Sequence, residues 1–354
     1  MTSASPAEAT IRPSAPNLVR SIQYLRGIAA LAVVVFHAAD RAGGSFGVGA
    51  AGVDVFFVIS GFIMWVVTCG RPPRPGVFLL RRIERIVPLY WLVTLATAAL
   101  AIAAPMALPA MQPTLAHVVQ SLLFIPHVAP NGYIAPLIVP GWTLSYEFFF
   151  YLIFAVLLFA PLRWRAWLVS GCLLALVLAR PLGDVDNAVW ATFTDPILLE
   201  FGAGVWLGWA WSNNRLPGPA VGGLLIAGGL GVLAWTAASG VDVSTTRVLL
   251  WGVPATMLVT GCVAIERHRG VPAWPAMQRL GDASYSIYLV HGLAISAVVR
   301  LLRPLGDLPP PVIFGASLGV GVASGLVVYV MIERPLSGWL SRRTPRAAPL
   351  APQT

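Results

Sequence analysis

Apolar residues come in runs long enough to cross a bilayer, and such runs recur from one end of the chain to the other. Helical spans are predicted near 22–40, 50–68, 86–104, 142–160, 165–180, 195–212, 220–238, 247–264, 284–302 and 311–332. The fold class is therefore all-α: a polytopic membrane bundle of about ten transmembrane helices. Residues 1–20 and 337–354 are rich in Ala, Ser and Pro and read as disordered cytoplasmic tails around a membrane domain at 21–336. The longest polar-side excursion, 105–141, is Pro-rich and lacks Lys, Arg, Asp and Glu. It is expected to lie outside and to cover a site opening there.

Composition agrees: 57% of residues are hydrophobic, 10% are charged, and mean hydropathy is +0.78. All 23 basic residues are arginines. With ten spans, seventeen of them fall on the side of the two termini, three on the other side and three within spans. That split predicts cytoplasmic termini. The net charge of +9 is thus a topology signal spread over six segments, which argues against a nucleic-acid partner. The first span has no small-residue cleavage site and reads as a retained helix. Cys69, Cys172 and Cys262 show no paired spacing and read as free thiols. The five histidines lack metal-ligand spacing, so no metal is expected.

Polar groups inside these spans carry the candidate chemistry. In "LRGIAALAVVVFH" (25–37), Arg26 and His37 share one helix face, about 16 Å apart along the axis. Depth assignment puts Arg26 near the inner boundary and His37 in the outer half, at the level expected for Asp54, Glu147 and Glu200. A histidine oriented by a carboxylate can act as general base toward a hydroxyl. Asp54 is the first choice of partner and Glu147 the second. The alternatives are pairing that only holds the bundle together, and a proton relay. At the inner surface Arg81, Arg82 and Arg85 suit lipid headgroups as a topology anchor, or the phosphates of a nucleotide-bearing donor. Ser284, Tyr288 and His291, at i, i+4 and i+7, form a polar stripe that with Glu200 is a candidate channel lining or interhelical glue. Asp282 is expected to N-cap the ninth span, Glu333–Arg334 to stop the tenth before Pro335, and Gly204/Gly208 to permit close helix contact.

Taken together, "YLRGIAALAVVVFHA", "GAAGVDVFFVISGFIMW", "RRIERIVPLYWL", "GWTLSYEFFFYLIF", "LGDASYSIYLVHG" and the closing "ERPL" resemble the acyltransferase 3 family of integral-membrane acyltransferases, in family order across about residues 21–336. "IQYLRGIAAL", "GWTLSYE" and "EFGAG" are similar to its exopolysaccharide-acetylating branch. The resemblance implies a ten-helix enzyme transferring an acyl group, usually acetyl, from a cytoplasmic coenzyme A thioester to a carbohydrate hydroxyl. It implies His37 as catalytic base with Arg26 as its paired signature residue, Asp54 as the helix 2 acid, and Arg81, Arg82 and Arg85 at the donor. Glu147 matches the "SYE" position. No cofactor is expected to be bound permanently; acetyl-CoA or another acyl-CoA is the expected donor substrate. Expected partners are an exopolysaccharide or its lipid-linked precursor and the lipids of the cytoplasmic (inner) membrane. Related acceptors, a macrolide or a lipopolysaccharide O-antigen, remain open. So does a different class, a glycan or proton-coupled transporter.

Overall fold

The computed structural model describes residues 19–106 apart from 71, residue 111, and residues 113–342. The tail residues 1–18 and 343–354, with Arg12, Arg343 and Arg346, lie outside the described residues, as does Arg71. Regular structure among those described is helical, with one isolated bridge between Val128 and Ile134.

The chain forms α1 (Arg20–Arg41), a 3-10 turn (Gly47–Ala51) leading into α2 (Gly52–Val66), α3 (Pro75–Ala103), the short α4 (Leu115–Leu122), α5 (Gly141–Leu157) and α6 (Leu162–Ala179). Next come the short α7 (Ala188–Phe193), α8 (Leu198–Ser212), α9 (Pro219–Ser239), a π turn (Val248–Gly252) opening α10 (Val253–Arg269), α11 (Pro275–Asp282) and α12 (Ser284–Leu302). The last stretch is α13 (Pro310–Val328), a second π turn (Tyr329–Glu333) and α14 (Arg334–Ser341). All ten expected spans are helical. Eight are long and apolar enough to cross a membrane; α5, with 17 residues, and α8, with 15, are shorter.

At the heart of the bundle α2 and α8 run parallel in close contact. A Cβ on Gly204 would stand 2.0 Å from the Val58 carbonyl oxygen, and one on Gly61 2.1 Å from that of Phe201. Small residues let the backbones touch, which is how helices associate where lipid is as apolar as their own side chains. Phe57 and Phe150 then pack on Phe201, with ring centroids 4.6 and 4.5 Å apart.

One end of the bundle gathers the arginines. Glu266, at the end of α10, accepts from the backbone N–H groups of Arg20 and Ser21, both at 2.8 Å, and so caps α1 with a negative charge. Arg165, buried at the start of α6, donates to the Thr68, Leu158 and Ala160 carbonyls and satisfies the ends of α2 and α5 together. Arg215 and Arg267 lie over Trp209 and Trp211, an arrangement suited to a membrane interface.

Three expectations are corrected. Helix α3 begins at Pro75, eleven residues before the expected 86, because Pro at a first turn costs no hydrogen bond. Pro335 does not stop the last span: the π turn absorbs the register change and Pro335 falls in the first turn of α14, so the helix runs to Ser341 and into the expected tail. Glu333 is buried there and accepts from Ser286 Oγ at 2.5 Å. Asp282 does not cap α12. It ends α11 one residue earlier, faces α1 and accepts from Gln23 Nε2 at 3.2 Å. The three cysteines are free and half-buried.

Candidate active site in two cavities

Helix α1 is unbroken between Arg26 and His37, and the two residues open into different cavities. The inner cavity, about 210 Å³, lies toward the arginine-rich end. Arg26 from α1, Ser60 from α2, Arg82 and Arg85 from α3, Glu147 and Tyr151 from α5, and Ser284, Tyr285 and Tyr288 from α12 line it. Tyr151 donates to Glu147 Oε2 at 2.5 Å and lies 3.3 Å from Ser60 Oγ. Arg82 Nε is buried without a protein hydrogen-bond partner, so this wall holds unspent donor capacity. Arg81 is not part of that lining.

The outer cavity, about 490 Å³, holds His37, Arg41, His117, Asn131, His291 and Ser296. Its roof is the 129–140 stretch of the Pro-rich excursion, as expected from the sequence. His37 touches His291, ring centroids 5.1 Å apart, and Phe36 on its other side at 4.6 Å. The proton of His291 can be placed: Nδ1 lies 2.7 Å from the Tyr288 carbonyl oxygen, which only accepts, so Nδ1 carries the hydrogen. Its Nε2 is left with a lone pair, buried and without a protein partner. The same logic reaches His117. His127 Nδ1 donates to the Ile125 carbonyl at 2.7 Å, so its Nε2 accepts from His117 Nδ1, also at 2.7 Å. Burial and the neighbouring His127 hold His117 below the usual histidine range. Between the cavities stand Phe56 and Tyr288, whose hydroxyl meets Thr143 Oγ1 at 3.2 Å.

The expected single layer of one histidine and three carboxylates is not what forms. Asp54 does not pair with His37. It is fully buried and takes a bidentate bond from Arg247, Nε to Oδ1 at 3.1 Å and NH2 to Oδ2 at 2.9 Å. Glu200 faces Asp54, lines neither of these cavities, and fills the space a Cβ on Gly252 would take, 2.5 Å from Oε1. Glu147 lies in the inner cavity because α5 starts deep. The chain before it dips into the bundle, burying Leu137 and Ile138, and Gly141 abuts Tyr90 in the middle of α3. The stripe is divided between the cavities: Ser284 and Tyr288 line the inner one and His291 the outer, without Glu200.

Sequence reasoning missed Arg247, counted only as one of three outer arginines. Its rarity on that side was the available signal. It also missed the His117–His127 pair, which periodicity cannot show. Among the described residues no three of His, Cys, Asp and Glu group to hold a metal ion.

These features belong to a known class. Residues 19–330 match the Acyltransferase domain family, and the chain belongs to it: a multi-pass membrane enzyme that transfers acyl groups. It is 45% identical to the exopolysaccharide production protein ExoZ of Rhizobium meliloti, over 86% of this chain and 94% of that protein. It is 28% identical to the acyltransferase MdmB of Streptomyces mycarofaciens, over 96% and 97%. With the peptidoglycan O-acetyltransferase OatA of Listeria monocytogenes it shares 26% identity, over 90% of this chain and 56% of OatA. No solved structure matches it.

Proposed function

We propose that the protein moves an acyl group, acetyl in the first instance, from acyl-CoA to a carbohydrate hydroxyl of an exopolysaccharide or its lipid-linked precursor. The reading takes the arginine-rich end as cytoplasmic and the membrane as the inner one. One observation carries it: a single helix holds Arg26 in an arginine-lined cavity at one face and His37 in a histidine-lined cavity toward the other, about 16 Å apart. Guanidinium groups suit the coenzyme's phosphates. Neutral imidazole suits a hydroxyl that must lose its proton as it attacks. The names of ExoZ and OatA support a polysaccharide acceptor and acetyl transfer.

In this mechanism the coenzyme's phosphates rest on Arg26, Arg82 and Arg85, and its arm passes Tyr288 to the outer cavity. His37 accepts the hydroxyl proton while the oxygen forms its bond to the thioester carbon. The C–S bond breaks, and the proton returns from His37 to the departing sulfur. His291, with its proton fixed on Nδ1, offers Nε2 to the N–H that His37 then carries, the role expected of a carboxylate. Asp54 instead ties the outer ends of α2 and α10 through Arg247. Purified protein with labelled acetyl-CoA and deacetylated exopolysaccharide tests this by release of coenzyme A thiol. His37→Ala is expected to abolish turnover while leaving acetyl-CoA affinity near that of the wild type. Normal turnover in that variant refutes the assignment.

A further inference from the structure

The outer face carries a second cavity, about 240 Å³, that the acyl-transfer route does not use. Ala135 and Pro136 line both outer cavities, and the His117–His127 pair puts one imidazole in each. The two are therefore neighbours that share part of one wall. The wall of the second is Trp142 and Tyr146, edge to face with centroids 5.7 Å apart, with the hydroxyl-bearing Ser145 and Thr192 beside them. At its mouth Arg180 and Asp195 stand 3.9 Å apart, each about one third exposed.

Both mouth residues are held in place. Arg180 NH1 donates to the Ala191 carbonyl at 2.7 Å, and its own carbonyl accepts from Trp190 Nε1 at 3.0 Å. Asp195 Oδ1 caps the Ile197 N–H at 2.9 Å, which leaves Oδ2 on the side of Arg180. An ion pair at the entrance does not suit a lipid acyl chain. Opposite charges cancel, so the entrance selects neither anion nor cation. A flat aromatic wall, hydroxyls and a planar donor beside a planar acceptor suit a ring with apolar C–H faces and hydroxyls on its rim.

We infer that this cavity is a second sugar subsite, so that the acceptor is a chain of at least two sugar residues, the reacting one beside His37 and its neighbour beside Trp142 and Arg180. The inference rests on the acyltransferase reading and narrows its substrate to an oligosaccharide rather than a single sugar. The test uses exopolysaccharide of the producing strain, deacetylated and hydrolysed to fractions of one, two and four sugar residues. Each is offered with labelled acetyl-CoA to the full-length protein in lipid nanodiscs. For the wild type, kcat/KM for the two-residue fraction should exceed that for the one-residue fraction at least tenfold. Asp195→Asn, which keeps an oxygen for the Ile197 cap, and Thr192→Val should bring the ratio toward one. Thr194→Val, whose hydroxyl bonds only the Trp190 carbonyl outside this wall, should keep the wild-type ratio. A wild-type ratio near one, a ratio unmoved in both subsite variants, or an equal fall in the Thr194 variant overturns the subsite alone. Failure of every fraction to take label from the wild type overturns the carbohydrate reading itself.

Discussion

Replacing Arg247 by Gln should unlock the outer end of the bundle. Arg247 precedes α10 and Asp54 is in the first turn of α2, so one guanidinium ties two helices, with Glu200 in the first turn of α8 facing the same buried carboxylate. Asp54 is 0% exposed and Glu200 2%. Removing the cation leaves two buried carboxyl groups facing each other, and breaking a buried pair in this way costs about 3–5 kcal/mol. Loss of the Trp142 and Trp251 rings as cation–π partners, 5.7 and 5.1 Å from the guanidinium, adds about 0.5–1 kcal/mol each. Asp54→Asn should cost less, because Glu200 remains to face the arginine. The double variant Asp54→Asn/Arg247→Gln should recover at least ~2 kcal/mol of the sum of the two single losses. Equilibrium unfolding in mixed micelles of rising SDS fraction measures all four corners of the cycle. If Arg247→Gln stays within ~0.5 kcal/mol of the wild type, or the double variant is additive, the pair is not what holds these helices.

Three further outcomes are expected. His291→Phe should lower kcat ten- to hundredfold (an order-of-magnitude range) with little change in acceptor KM, and His291→Gln, which restores an acceptor atom, should recover part of the loss; equal defects in both make the residue packing only. Gly204→Val should abolish the monodisperse species on size-exclusion chromatography, since its Cβ meets the Val58 carbonyl at 2.0 Å and neither backbone can yield. Because the folded state holds His117 below its ordinary value of about 6.5, the unfolded segment binds a proton first. The stability of the outer 115–127 region should therefore be full above about pH 6.5 and fall as pH drops below it, read as smaller amide protection factors in that region, corrected for the intrinsic exchange rate, at pH 5 than at pH 7. Protection that does not change with pH would remove the histidine pair from the account.

Features that depend on counting along one helix were legible in the sequence. The periodicity of α1 alone set the separation of Arg26 and His37, and the lengths of the apolar runs set the spans. The small-residue pair at Gly204 and Gly208 pointed to a close helix contact because a missing side chain is itself a sequence feature, and α2 is the helix that makes it. Depth within the bundle was harder. Asp54, Glu147 and Glu200 each lie near the start of a span entering from the same side, and equal sequence offsets suggested equal depth. That inference assumes every helix starts at the membrane surface. Helix α5 does not: its start against Tyr90 carries Glu147 into the inner cavity, and no local pattern in "PGWTLSYE" encodes that offset. The pairing of Asp54 with Arg247, 193 residues away, is set by which helices are neighbours, and the sequence offered no way to rank an arginine over a histidine as its partner.

The short helices explain why there are two cavities and not one channel of uniform bore. At 1.5 Å per residue, α5 is about 26 Å long and α8 about 23 Å, both below the roughly 30 Å of a hydrocarbon core. The deficit must be filled by something whose backbone polar groups are satisfied. Here the filler ahead of α5 is the excursion before Gly141: the Leu137 N–H donates to Ser121 Oγ at 2.9 Å, and Ala129 to Tyr133 by a local turn. Irregular backbone at this depth is tolerated only where protein or a cavity receives it, and this stretch forms the wall of both outer cavities. Shortening α5 thus does two things at once. It drops Glu147 and Tyr151 among the inner arginines, and it opens above them the space that His37 and His291 line. A variant that lengthened α5 outward by one turn would have to expel the 129–140 stretch. It should therefore lose the outer cavity while keeping the inner one, so that acetyl-CoA affinity survives and transfer does not.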